Sequence, residues 1–482
     1  MFDRSTAVLL ALGCASIALA QQVHEFPVAT GPHAEYQPSI CFYTVVWTDD
    51  RDFPLTQLDL WGTNLRLPVQ FPVCQGPLDQ MLPHVRTTGG QTLCVWEDYR
   101  LLTAPDIFGR YLAIGDCFPI TGFLLGERAP RTYGPYVAYE RDSELVASTD
   151  IWYCLMPAGV HVPLCEAEGS QESPDVFGHN FVWADDRPDM LGNHWDIYVR
   201  DARTSVETNL TMSPWEDRRP RISGNWVVYE SLQPFGTGWD IYAQRLGPPD
   251  TPPLPVCTQP GDQQKPAIWG NLIVWQDTRE GLAKIYGYDL ASGKEFRVSP
   301  IDINAADMEP DISQNVVVWS RYRTFTPDVY GALLDFSTIT GHVDLQMYPP
   351  GPEGVPMELE LQSIGGTEPA LLPIVPDHNG DFTATTLLEG QFTVALKPSH
   401  WLRQRLDAVF TLAPGTTVNM NFQLLNGDAV QDNRVDLLDL NQVLISFGMN
   451  APNPGDLDGS GVVDLRDLNI VLLNFGLEGD PG

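Results

Sequence analysis

Residues 455–476, GDLDGSGVVDLRDLNIVLLNFG, put oxygen-bearing side chains at alternating positions and follow them with an apolar run. Calcium takes about six to eight hard oxygens, which a sharply turned loop of about 12 residues supplies from positions 1, 3, 5, 7, 9 and 12. Counted from Asp456, these are Asp456, Asp458, Ser460, the carbonyl of Val462, Asp464 and Asp467, with Gly461 at the turn. An upstream copy, GDAVQDNRVDLLDLNQVLISFG at 427–448, offers Asp428, Asp432, the carbonyl of Arg434, Asp436 and Asp439. Its turn residue is Asn433, which tolerates left-handed backbone, but its third position is Val430, which has no oxygen to give. Two calcium ions are therefore expected, with the 456–467 loop filling first.

Each loop runs into a helical pattern. Leu468, Val471, Leu472 and Phe475 fall at i, i+3, i+4 and i+7, and Leu440, Val443, Leu444 and Phe447 repeat the spacing, which predicts one buried stripe per helix. No helix precedes either loop, and Asp replaces the Glu that closes a full EF-hand loop. Residues 425–482 resemble a type I dockerin domain. That resemblance implies calcium-dependent docking onto a cohesin-type module of another protein. It also implies that loop positions 10 and 11, here Leu437-Leu438 and Leu465-Arg466, help select the partner. The two pairs differ, which argues against two equivalent binding modes.

The chain upstream is a repeat. Seven segments share a proline, a β-rich run ending in an aromatic, a polar turn and Asp-apolar-aromatic, as in SPDVFGHNFVW followed by DIY (173–183, 196–198). Successive prolines from Pro38 to Pro310 are 45, 47, 44, 46, 46 and 44 residues apart. A period near 45 residues with several short strands per unit calls for a β-propeller. Trp47, Trp96, Tyr139, Trp183, Tyr229, Trp275 and Trp319 are its recurring core aromatics. PDISQNVVVW (310–319) and WDIY (195–198, 239–242) resemble the TolB-like propeller repeat, a likeness that covers about residues 33–337. Seven blades are expected, six being the alternative. The seventh unit stops after DVYGALLDF, whereas VHEFPVATGPHAEYQP (23–38) matches the close of unit six, so an N-terminal strand should complete the last blade. Four units carry W-x-D-x-R, at Trp47/Asp49/Arg51, Trp96/Asp98/Arg100, Trp183/Asp185/Arg187 and Trp275/Asp277/Arg279. Because the pattern follows the repeat, it reads as a turn held by charge-assisted hydrogen bonds and not as a substrate site.

Residues 338–424 read as short alternating strands between Gly, Pro and Asp turns, a small β-sandwich. Their order resembles carboxypeptidase-regulatory-like or Cna-B-type modules, which implies a spacer or adhesive domain. Trp401 is weighed between a sugar platform and a core position, the core being favoured.

The chain is thus expected to be mainly β: signal peptide 1–20, propeller 21–337, sandwich 338–424, and a small α-helical calcium-binding domain at 425–482. Arg4, the apolar stretch AVLLALGCASIALA and the small residues before Gln21 read as an export signal cleaved after Ala20, placing the protein outside the cell or on its surface. No later apolar run reaches the roughly 20 residues of a membrane span. A net charge of −34 disfavours nucleic acid and anionic lipid. Seven cysteines remain after cleavage, and disulfides are the natural reading, with Cys154–Cys165 the best pair and Cys94–Cys117 and Cys41–Cys74 further guesses. No G-x-S-x-G, HExxH or P-loop pattern occurs, the nine histidines recur at no repeat position, and no catalytic residue is assigned. The expected function is that of a secreted, non-catalytic binding and assembly protein whose propeller recognises a polysaccharide or protein. The alternative is a carbohydrate-active lyase or hydrolase with its site on the propeller face, marked by His, Glu or Arg from different blades converging on one channel mouth.

Overall fold

Each of the first six repeat units lays down one four-stranded antiparallel sheet. The computed structural model describes residues 23–51, 57–100, 104–122, 125–143, 148–188, 192, 194–233, 236, 238–247, 252–323, 326–450 and 452–482. The signal-peptide reading of residues 1–20 lies outside them.

The first sheet runs Glu35–Cys41, Thr44–Asp49, Asp59–Asn64 and Leu67–Cys74 in spatial order. Five more follow at 80–119, 127–165, 171–209, 216–257 and 263–297. The seventh takes Ala306–Ser313, Val316–Tyr322 and Asp328–Leu334 from the end of the repeat and its outer strand, Val23–Ala29, from the N-terminus. The innermost strand of each sheet packs against that of the next, and the seventh against the first. This closed ring is a propeller-type β structure.

The repeat aromatics are its cement: Trp47, Trp96, Tyr139, Trp183, Trp275 and Trp319 are all 0% exposed. Each W-x-D-x-R unit is a local clamp. The indole N–H of Trp47, Trp96, Trp183 and Trp275 donates to the Asp two residues on at 2.8, 3.0, 2.9 and 2.9 Å. That carboxylate also accepts from the backbone and guanidinium of the following arginine, as with Arg51 on Asp49 and Arg100 on Asp98. Three sheets depart from the pattern: Arg141, Ser231 and, in the seventh, Arg321 stand where these four have Asp. Fully buried, Arg321 pairs with Asp307 at 2.6 Å and with Glu25 of the N-terminal strand at 2.6 Å. The strand that completes the ring is thereby pinned by charge as well as by its backbone.

The disulfide expectation is overturned: Cys41, Cys74, Cys94, Cys117, Cys154, Cys165 and Cys257 are free thiols. Cys154 faces His161 and Cys165 faces Ile151 on the adjoining strand, so the pair is out of register. Cys74 meets Cys117 of the next sheet. The sulfurs of Cys74, Cys165 and Cys257 instead accept from Arg100, Arg187 and Arg279 of the following sheet at 3.2, 2.9 and 2.8 Å.

Two smaller sheets follow. Ser337–Leu345 sits between Asp381–Thr386 and, in parallel, Thr417–Leu424. Met357–Ser363 and Gly390–Leu396 centre a five-stranded sheet. They share one core that includes Ile339, Leu359, Val394, Met420 and Phe422, and Trp401 is buried within it at 1% exposure. Asp289 of the sixth sheet accepts from Thr386 Oγ1 and Leu387 N, both at 2.7 Å, fastening this unit to the ring.

The chain ends in helices α1 (Leu437–Ile445) and α2 (Leu465–Asn474), both capped in the same way. Asp436 and Asp464 are the N-caps, and Asp439 and Asp467 return the capping-box bond. The expected stripes are only half buried. Val443, Ile470 and Val471 are enclosed, but Leu444, Phe447, Leu472 and Phe475 are 46–53% exposed. The two helices pack against each other over a core too small to cover both full stripes. No helix among the described residues is long and apolar enough to cross a membrane.

Candidate metal centre

In the second loop the carboxylates of Asp456, Asp458 and Asp467 converge, one oxygen of each lying within 4.8 Å of the others. The backbone arranges them. Asp467 is fully buried, and its Oδ1 accepts from the N–H of Leu457 at 2.7 Å and Asp458 at 3.1 Å. Its Oδ2 accepts from Asp464 N at 2.8 Å. Asp458 Oδ1 accepts from Ser460 N at 2.9 Å and Asp456 Oδ2 from Gly461 N at 3.1 Å. Gly461 carries φ +92°, the left-handed turn that the loop requires. Ser460 Oγ donates to the Val462 carbonyl at 3.2 Å, so these two expected ligand oxygens adjoin. Asp464 is set apart: its carboxylate caps α2, accepting from Arg466 N at 2.6 Å.

Asp456 Oδ1 is buried and has no hydrogen-bond partner. Such an atom is costly unless something cationic meets it. Burial, and after it the neighbouring carboxylates, hold the pKa values of Asp456 and Asp467 above the ordinary aspartate range. An oxygen-only donor set of this charge suits a hard divalent cation such as calcium, which would neutralise the crowded carboxylates.

The first loop has the same backbone and a different charge pattern. Asn433 takes φ +69°, and Asp439 accepts from Val430 N at 3.1 Å and Asp436 N at 2.8 Å, matching Asp467 in its copy. Asp436 caps α1 by accepting from Leu438 N at 2.7 Å. Asp432 Oδ1 accepts from Arg434 N at 3.1 Å, and Arg434 bridges to Glu478. Asp428 is fully buried, but its carboxylate accepts from Asp432 N and Asn433 N, each at 2.9 Å, and from the ammonium of Lys397 at 2.7 Å. The Lys397 side chain also donates to the Trp401 carbonyl at 3.1 Å. A protein cation thus sits where the first ligand of this loop would face its ion. Among the described residues the first loop forms no converging carboxylate group like that of the second.

Leu437, Leu438, Leu465 and Arg466 all lie in the first helical turns and are exposed, the three leucines at 58–69%. They continue into an apolar surface with Leu444, Ile445, Leu472 and Leu473. Sequence reasoning missed Lys397, which lies outside the loop and 31 residues from Asp428. Only the missing oxygen at Val430 hinted that the two loops differ.

No family model matches the chain, and no curated protein matches it. Among solved structures, the chain is similar to an oligogalacturonate lyase in complex with manganese, at 11% identity and TM-score 0.47, covering 65% of this chain and 90% of that one. It is similar to TolB from Acinetobacter baumannii at 12% identity and TM-score 0.41, covering 60% of this chain and 65% of that one. A type II cohesin–X-dockerin complex from Acetivibrio cellulolyticus aligns at 19% identity and TM-score 0.24, covering 30% of this chain and 97% of that one.

Proposed function

We propose that this is a secreted, non-catalytic binding and assembly protein. A seven-bladed propeller serves as its recognition surface, a β-sandwich spaces it, and a dockerin-like tail docks it onto a cohesin-type module when calcium is bound. The carrying observation is the pairing of a three-carboxylate cluster with an uncovered apolar face on the same two helices. Exposed apolar surface of this kind marks an interaction site, and calcium in the loop beneath it would hold the helix starts in place. The second loop is the principal ion site. In the first, calcium competes with Lys397 for Asp428. The test is calorimetric titration of the full chain with an isolated cohesin module, with calcium and again with a chelator. Binding that needs calcium and is lost on Leu465→Asp supports the reading, and equal binding under both conditions rejects it.

A catalytic reading, a carbohydrate-active lyase or hydrolase, is favoured by one observation: His84 and Asp175 meet three arginines from other sheets in the propeller channel. Release of reducing ends from acidic polysaccharides by the purified chain would decide for it.

A further inference from the structure

The residue after each repeat proline is where the seven units disagree. Just before the prolines, residues such as Gln37, Leu82 and Arg219 all take positive φ, between 49° and 56° across the seven sheets. The register of every innermost strand slips at this point. A bulge of this kind re-aims the side chain that follows it. Six of the seven re-aimed residues are polar: Ser39, His84, Arg131, Asp175, Arg221 and Asp311. They line a cavity of about 220 Å³ formed by the innermost strands of all seven sheets. Two residues beyond His84, on the same side of its strand, Arg86 places its guanidinium carbon 5.1 Å from the ring of Trp269, in the sixth sheet. Its Nη1 is buried with no hydrogen-bond partner.

In a chain with 62 acidic and 28 basic residues, this convergence of guanidiniums runs against the overall charge. Nearby anions cancel it only in part, since Asp175 and Asp311 set two carboxylates against the three guanidiniums of Arg86, Arg131 and Arg221. Among the described residues, Arg131 Nη1 and Arg221 Nη1 each donate only to the carbonyl of the preceding proline, at 3.1 and 2.7 Å. Asp175 is engaged by Ile222 N at 3.0 Å, and Asp311 by Ile40 N at 2.9 Å and Ser39 Oγ at 3.0 Å. At the rim, Arg219 and Lys265 are already paired with Glu230 and Glu309, at 3.1 and 3.0 Å. His84 Nδ1 accepts from Thr132 N at 3.1 Å, and burial among the arginines keeps the ring neutral. Burial, and then Arg221, pull Arg131 down to about 10. Three guanidiniums against two carboxylates leave a positive excess that one further anion would offset.

Val375, from the unit that follows the ring, packs against the hydrophobic clusters on both sides of the channel. A cavity of about 220 Å³ matches a small molecule or a chain end.

We infer that the axial cavity binds a small organic carboxylate bearing hydroxyl groups, its carboxylate held by Arg131, Arg221 and Arg86 and its hydroxyls donating to Asp175 and Asp311. The planar guanidinium fork matches a carboxylate in two parallel bonds, and the two aspartates add acceptors that a bare oxyanion would not use. The site shares no residue with the acidic loops, so either assignment can fail alone.

Calorimetry and thermal melting of the full chain with glucuronate, glucose and sodium sulfate test the inference. Glucuronate and glucose differ only in whether C6 is a carboxylate. Glucuronate should bind and raise the melting temperature, with an affinity that falls as salt rises, and glucose should do neither. Arg131→Gln should weaken glucuronate binding roughly tenfold to a hundredfold while raising the melting temperature of the ligand-free chain, because it relieves crowding. Arg131→Lys should keep part of the affinity. Equal response to glucose, tighter binding of sulfate than glucuronate, or binding unchanged in a folded Arg131→Gln protein would each overturn it.

Discussion

The ammonium of Lys397 lies 2.7 Å from Asp428 Oδ2, so an internal cation occupies the first carboxylate of the first acidic loop. The lysine comes from the β unit between ring and helices and is mostly buried, which ties that unit to the tail by a charge contact. Replacing Lys397 by Met leaves Asp428 buried without its cation, at a cost of about 1–3 kcal/mol in the absence of calcium. Calcium should recover that loss, and the number of ions counted by calorimetry should rise. A Lys397→Met protein with unchanged calcium stoichiometry would show that the lysine does not compete with an ion there.

Val430 offers the complementary test. Val430→Asn adds an oxygen at the third loop position and should tighten calcium binding in the 428–439 loop. An unchanged binding isotherm would mean that these residues are not laid out as a calcium loop.

In the second loop, Asp467 both orients three backbone N–H groups and faces the other carboxylates. Asp467→Asn keeps an acceptor but removes a charge, so the folded tail should lose its response to calcium. With wild type, calcium at a hundred times its dissociation constant should add about 2.7 kcal/mol to stability. Urea titration with and without chelator measures both.

Glu25 and Asp307 share the fully buried Arg321. Asp307→Asn strips the fully buried partner from a buried guanidinium and should cost about 3–5 kcal/mol. Glu25→Gln should cost less, about 1–2 kcal/mol, and should make the N-terminal strand the first site of limited proteolysis.

Glu127 opens the innermost strand of the third sheet, fully buried, with Arg141 at 3.8 Å. Burial first, and Asp106 among its neighbours, push it from 4.5 up to about 7. The folded state therefore holds a proton that the unfolded state has released, and stability falls as pH rises from about 4.5 through 7. The repeat places Gln80, Gln171 and Gln263 at the same position. Glu127→Gln should match wild type near pH 4.5 and exceed it by about 1–3 kcal/mol at pH 8. A constant difference across that range would show that Glu127 does not titrate there.

Much of the fold was legible because its contacts are local. Trp47 and Asp49, or Trp183 and Asp185, are two residues apart, so a turn that needs them writes both into one short motif. The match between residues 23–38 and the end of unit six pointed to the closing strand, since a ring of like sheets must fill each strand position. The cysteines misled because the expectation of export suggested bridges, yet Cys165 and Cys257 serve as buried acceptors for arginines of the next sheet. The helical stripes misled because spacing marks an apolar face but not whether anything covers it; Leu444 and Phe475 remain outside.

The sequence by itself determined the repeat, the order of the elements and the oxygen-bearing loops, since each is a pattern within a few dozen neighbouring residues. Only the tertiary structure decided which loop keeps its carboxylates free, because Lys397 reaches Asp428 through the docking of two units. It alone also brought Arg86, Arg131 and Arg221 together. Residues far apart along the chain become neighbours at the axis once the ring closes, and no local spacing records that meeting.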